Sequence, residues 1–178
     1  SDVAVLLTTF LLTVIFDLTI AIEIGLLLAL VLFMKRMSEV THITVAKDQL
    51  DLSNEGEIYH EEEKLIVPQG VEVYEIDGPF FFGVANKFDE CMKTIGDKPR
   101  IRIIRMRKVP FMDTTGLHNL ESLYRLSTKE KIQVILSGVN EQVRATLVKS
   151  SFARTIGEEN ICSNIHEALK RAEVCLKS

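Results

Sequence analysis

The run FMDTTGL, residues 111–117, sets an acid, two hydroxyls and a glycine between two apolar stretches. Ile101 to Met106, before it, is strand-like, and Lys108-Val109-Pro110 closes that strand. After it, Leu117, Leu120 and Tyr124 recur at helical spacing. The run is therefore a strand-to-helix loop, with Asp113 and Thr114 of the type that caps helices. The flanking sequence alternates in the same way. Val71 to Ile76 reads as a strand stopped by Asp77-Gly78-Pro79, and Phe80-Phe81-Phe82 as a short second strand. Val84, Phe88, Cys91, Met92 and Ile95 mark a helix ended by Gly96. Ile132 to Leu136 is a strand closed by Ser137-Gly138, and Asn140 caps a helix carrying Val143, Leu147 and Val148. Asn164-x-x-Glu167 is a capping box for a last helix with Ile165, Ala168, Leu169 and Ala172. Alternating strands and helices predict an α/β fold, a mixed sheet with helices packed on it.

Helix capping alone accounts for the residue types of the loop. A phosphate-binding P-loop would need Gly-x-x-x-x-Gly-Lys-Ser/Thr, which is absent. A hydroxyl nucleophile would need a base; His118, one turn on, points along the helix rather than back at Thr114. No catalytic residue, cofactor or metal is expected, since His42, His60, His118 and His166 lie far apart and no other ligand-type residue stands at metal spacing. A modification switch fits the position better. A phosphate on Thr114 would meet the N–H groups and dipole of a helix N-terminus, beside Asp113. Asp113, Thr114, Thr115 and Gly116 are thus the candidate switch loop. Gly116 admits either close backbone packing or an unusual φ.

Two solvents are written into the composition. Between Val3 and Met34 only Asp17 and Glu23 are charged, and the run is apolar almost all round. A spanning helix needs about 20 such residues, and this run is longer, with Phe16-Asp17-Leu18-Thr19 interrupting it. It reads as one long tilted span or as a tight hairpin of two short spans turning near Asp17. The hairpin is favoured because it puts Asp17 in water rather than at mid-bilayer. Glu23 is the candidate functional acid within the membrane; facing a neighbouring helix, or lying shallow just past the turn, also accounts for it. Neither a basic leader nor a small-residue cleavage site marks a signal peptide. Lys35-Arg36 follow the apolar run and place the remainder in the cytosol, in keeping with Cys91, Cys162 and Cys175 as scattered reduced thiols. The predicted division is a membrane segment 1–37, an acidic connector 38–69 and an α/β domain 70–178. The connector either is solvated or docks on Arg100 to Lys108, a run with five Lys or Arg and no acid. A net charge of −4 argues against nucleic acid as the main partner.

Phe111 to Leu117 resembles the Asp-Ser-Ser/Thr-Gly-Leu loop of the STAS domain, named for sulfate transporters and anti-sigma factor antagonists. Val73 to Ala85 resembles the opening strands of that domain in SulP-type anion permeases, and Thr9 to Gly25 is similar to their last two spans. The resemblance covers about residues 1 to 37 and 70 to 175. It implies a cytoplasmic regulatory domain hung from a multi-pass secondary anion transporter of the cell's inner (plasma) membrane, for sulfate or a similar anion. The partners it implies are the rest of the transporter membrane domain, a second copy in a homodimer and a cytosolic regulatory protein. In anti-sigma factor antagonists the residue after the Asp is a phosphorylated Ser; here Thr114 stands there, which makes a membrane-tethered phospho-switch the alternative. The more secure implication is that the loop and the following helix form a protein-contact face.

Overall fold

The computed structural model describes residues 2–15, 17–46, 49–50, 65–80 and 99–177. The chain divides into two compact units, Ser1–Val40 and Thr41–Ser178.

The first unit is a helical hairpin. Helix α1 spans Asp2–Ile15 and α2 spans Leu18–Val40. Asp17 begins α2: its Oδ1 accepts from Leu18 N at 2.7 Å, and its carbonyl accepts from Ala21 N at 3.2 Å. Thr9 and Gly25, equidistant in sequence from Asp17, meet across the two helices; a Cβ on Gly25 would lie 2.6 Å from Thr9 Cγ2. Ala21, one turn earlier on that face of α2, is fully buried. The hydroxyls of Thr8, Thr9 and Thr13 donate back to the carbonyls of Ala4, Val5 and Thr9, so these polar groups are satisfied within an apolar helix. The two helices meet at Asp17 and are unequal, 14 and 23 residues long. Leu18–Arg36, 19 residues, is long and apolar enough to cross a membrane, at about 1.5 Å per residue close to the thickness of a hydrocarbon core. Glu23 is exposed, on the side of α2 away from Ala21 and Gly25.

The second unit is built on a five-stranded sheet. Its strands are β1 (His42–Ala46), β4 (Val71–Asp77), β5 (Ile101–Lys108), β6 (Gln133–Ser137) and β7 (Ile161–Cys162), in that spatial order. β1 is antiparallel to β4, and the other neighbours are parallel. A two-stranded sheet pairs β2 (Gln49–Leu50) with β3 (Leu65–Ile66). Helix α3 (Thr114–Lys129) joins β5 to β6; α4 (Glu141–Lys149) and the short α5 (Phe152–Ile156) join β6 to β7; α6 (Ile165–Lys177) follows β7.

Parallel strands must be covered on both faces, and two cores do so. On one face Tyr74, Ile76, Ile104, Met106 and Leu136 pack with Leu117, Leu120, Leu123, Val143, Leu147 and Phe152 of the helices. On the other, Val71, Val73, Ile101, Ile103 and Ile135 meet Ile165, Ala168, Leu169 and Ala172 of α6. The capping residues act as their types predict. Asn140 Oδ1 accepts from Val143 N at 2.8 Å, and Asn164 Oδ1 from Glu167 N at 2.9 Å. Glu167 reaches back one residue further than the box requires, accepting from Ser163 N.

One expectation changes. The stretch 38–69, assigned to a connector, contributes the edge strand β1, with Ile43 and Val45 packed on the core. An edge strand buries one side only, so its weak alternation was hidden by the acids that follow. Phe80 makes a parallel bridge to Met112; Phe81 and Phe82, the rest of the expected short strand, and the helix over Val84–Ile95 lie outside the described residues, as do most of the connector's acids. The basic run contains β5, in line with the strand expected over 101–106, and β4 carries the acids that meet two of its cations. Arg105 lies 3.5 Å from Glu75, and Lys108 lies 3.3 Å from Glu75 and 3.4 Å from Asp77.

A buried polar cluster sits at the opposite end of these strands. The Tyr74 hydroxyl donates to Glu72 Oε2 at 2.9 Å, Arg102 Nη1 donates to Ser127 Oγ at 2.6 Å, and the guanidinium stands 5.3 Å from the centre of the Tyr74 ring. Burial pushes the Tyr74 phenol well above its ordinary pKa; Arg102 opposes the rise and Glu72 adds to it. Tyr74→Phe, which takes one partner from a buried carboxylate, should destabilise the domain by about 1–3 kcal/mol, read as a fall in its urea midpoint. The sign with pH follows from the raised pKa. Above about pH 10 the unfolded chain gives up this proton while the fold keeps it, so stability falls as pH rises. Tyr74→Phe should lack that part of the alkaline loss in a pH series of the same measurement.

Candidate functional site

β4, β5 and β6 run parallel, so the loops that leave them gather at one end of the sheet. These are the turn 78–80, the run 109–113 and the run 138–140. This is the end at which open α/β sheets present their binding loops. The 109–113 loop is held at each step. Val109 N donates to Met106 O at 3.0 Å; Asn140 Nδ2 donates to Val109 O at 2.8 Å; Phe80 N donates to Phe111 O at 3.2 Å.

Asp113 is the N-cap of α3. Its backbone is extended, and Oδ1 accepts from Gly116 N at 2.6 Å while its carbonyl accepts from Leu117 N at 2.9 Å. The carboxylate is thus spent on the helix and is not poised as a base. Thr114 and Thr115 follow with exposed side chains, and neither hydroxyl is hydrogen-bonded among the described residues. His118 is exposed on the next turn. Among the described residues nothing in this arrangement activates a nucleophile; it leaves two hydroxyls exposed at the positive end of a 16-residue helix.

Gly116 takes the first of the two roles open to it. It lies inside α3, and a Cβ there would fall 2.0 Å from Phe80 O and 2.9 Å from Phe80 Cδ1. The glycine is required by the approach of two backbones, not by a positive φ. Loop and helix start are therefore pressed onto Phe80, which is itself 1% exposed. The sequence motif supplies Asp113 to Gly116 but not the residues that seat them, Phe80 and Asn140, which come from other strands' ends. Glu23 lies on α2, in the first unit.

Beside the loop, two cations of β5 are paired with acids of β4. Burial, and then the neighbouring Arg107, pull the Arg105 guanidinium below its ordinary pKa, but arginine stays charged at neutral pH and is paired with Glu75. This end of the sheet is mixed in sign and is no phosphate-binding surface of the nucleic-acid kind.

The model of the STAS domain matches residues 64–168. The putative sulfate transporter YvdB of Bacillus subtilis is 30% identical over 161 residues, covering 90% of this chain and 28% of that protein. The bicarbonate transporter BicA of Picosynechococcus is 29% identical over 168 residues, covering 91% of this chain and 29% of that one. A crystal structure of a sulfate transporter family protein from Wolinella succinogenes superposes with a TM-score of 0.61 at 38% identity, covering 64% of this chain and 93% of the other. This chain spans under a third of the length of the curated relatives it matches.

The packing of the loop makes a sharp contrast between adjacent residues. Gly116→Ala should cost about 1–3 kcal/mol, because backbone must shift to admit the methyl group. The exposed Thr115→Ala should stay within about 0.5 kcal/mol, both read from thermal unfolding; equal, small effects would contradict the close approach to Phe80. The sheet order, the glycine-seated loop and the matched model agree, and the chain belongs to the STAS domain family, in the form carried by SulP-type sulfate and bicarbonate transporters.

Proposed function

We propose that this chain is the C-terminal part of a SulP-type secondary anion transporter: its last membrane segment, to about residue 37, followed by a cytosolic STAS domain that regulates transport by touching other proteins. One observation carries the reading. A hairpin whose longer arm can span a bilayer is joined, in one chain, to a STAS sheet. The relatives' names supply the substrate class, since sulfate and bicarbonate are both small oxyanions. Anion sites of inverted-repeat transporters are built from half-helices near the midplane, so this chain contributes control rather than the site itself. It is a regulatory module and not an enzyme.

The partners follow from the surfaces. Leu6, Phe10 and Val14 of α1 and Leu26, Leu30 and Phe33 of α2 are exposed on the hairpin; lipid and the rest of the transporter membrane domain cover them. Glu23, exposed a turn and a half past Asp17, faces a neighbouring span or shallow water. The exposed Thr114 and Thr115, with the start of α3, form the contact face for a cytosolic regulatory protein or for the second copy of a homodimer.

Expressing the full-length transporter with and without residues 70–178 tests the role. The truncated protein should still insert, and its uptake of sulfate or bicarbonate should change several-fold; insertion with unaltered uptake of both would refute a regulatory domain. Orientation is tested with a membrane-impermeant thiol reagent. Cys175, half-buried on α6, should be protected in intact cells and react once the membrane is permeabilised. Cys162 should trail it, since it is buried and its thiol pKa is raised first by burial and then by the Glu167 carboxylate. Labelling of Cys175 from outside would reverse the topology.

A further inference from the structure

Helix α2 ends at Val40, and the next residue, Thr41, is 1% exposed. Its hydroxyl donates to the carbonyl of Pro79 at 2.8 Å. Pro79 precedes Phe80, whose N–H donates to Phe111 O and whose carbonyl bears on Gly116. Thus a hydrogen bond, a peptide unit and a second hydrogen bond join the exit of the apolar hairpin to the Asp113–Gly116 loop. From the geometry of these contacts we propose that the turn Gly78–Phe80 is a mechanical relay, through which a displacement at the end of α2 and occupation of the loop at Thr114 and Thr115 alter each other.

The turn has little freedom to absorb a displacement at either end. Gly78 N donates to Lys108 O at 3.2 Å, pinning the turn to the end of β5. A Cβ on Gly78, at φ +116°, would lie 3.1 Å from Thr41 Cα, so these two backbones are nearly in contact. Pro79 has a fixed φ. Phe80 is locked in the core with Met112 and Leu117, and Gly116 closes on its carbonyl at a separation that excludes even a methyl group. Packed interiors transmit strain instead of dissipating it. Displacement of Thr41 therefore moves the carbonyl of Pro79, with it the peptide plane whose N–H holds Phe111, and through Phe80 the next carbonyl, on which Gly116 closes. The reverse holds by linkage: a partner that binds the loop better in one position of the turn shifts the turn, and the turn shifts Thr41.

The relay rests on the proposed reading of α2 only for what moves Thr41; the coupling itself lies within the sheet domain. Amide hydrogen exchange on the full chain in lipid nanodiscs reads it directly. Thr41→Val removes the donated hydroxyl, and Thr41→Ser keeps it. Exchange in the peptide covering 111–117 should rise roughly three- to ten-fold in Thr41→Val, with β6 (133–137) unchanged, and stay within about twofold of the parent in Thr41→Ser. Reciprocally, Asp113→Ala, at the half-buried cap, should speed exchange across 41–46 and 76–80. Faster exchange confined to residues 41–46 and 76–80 in Thr41→Val would overturn the relay. If Thr41→Val unfolds the whole sheet, the Asp113→Ala arm decides, and unchanged exchange at 41–46 there overturns it equally. Thiol labelling of Cys175 separates failure of the relay from failure of the membrane reading.

Discussion

Burial of β4, β5 and β6 on both faces is the constraint on which the domain depends. A parallel sheet has no solvent face, so α3 and α4 must cover one side and α6 the other. The connections that carry the chain back over the sheet then open at one end and close at the other. The loops gather at that open end, because elsewhere the strands are sealed. The position of the Asp-Thr-Thr-Gly loop is thus a product of topology before it is a product of its own residues.

The same constraint explains why charges inside the sheet are arranged in pairs. Arg102 and Arg105 are each nearly inaccessible to water, which isolated cations could not sustain. They alternate to opposite faces with their neighbours on β5. Arg102 is met by Ser127 and the Tyr74 ring, Arg105 by Glu75. These groups fix the register of β4 against β5, since a slip by one residue would put each charge into the wrong core. Pairs of this kind stabilise little in total, but leaving one partner alone is costly.

What could be read from residues alone followed local rules. Periodicity marked β4, β5, β6 and α6, and the caps Asp113, Asn140 and Asn164 were visible because capping is decided within four residues. The apolar run up to Met34 and its break at Asp17 were equally plain. What stayed hidden depended on contact between distant segments. β1 owes its existence to pairing with β4, Arg105 and Lys108 of the basic run are paired because Glu75 and Asp77 stand across the ladder, and Gly116 needs Phe80 from another strand's end. The composition of 38–69 spoke for its acids and masked five residues of strand. The site was legible as a loop, therefore, but not as a loop seated by Phe80 and Asn140.

The order of the strands has a consequence for biogenesis. β1 leaves the ribosome directly behind α2, whereas its only described ladder partner, β4, begins 25 positions after Ala46, at Val71. At about 5–20 residues per second this leaves an open hydrogen-bonding edge for on the order of one to five seconds. During that interval the emerging chain has a strand without a sheet, and its hydrogen-bonding edge stays open to any partner that reaches it first.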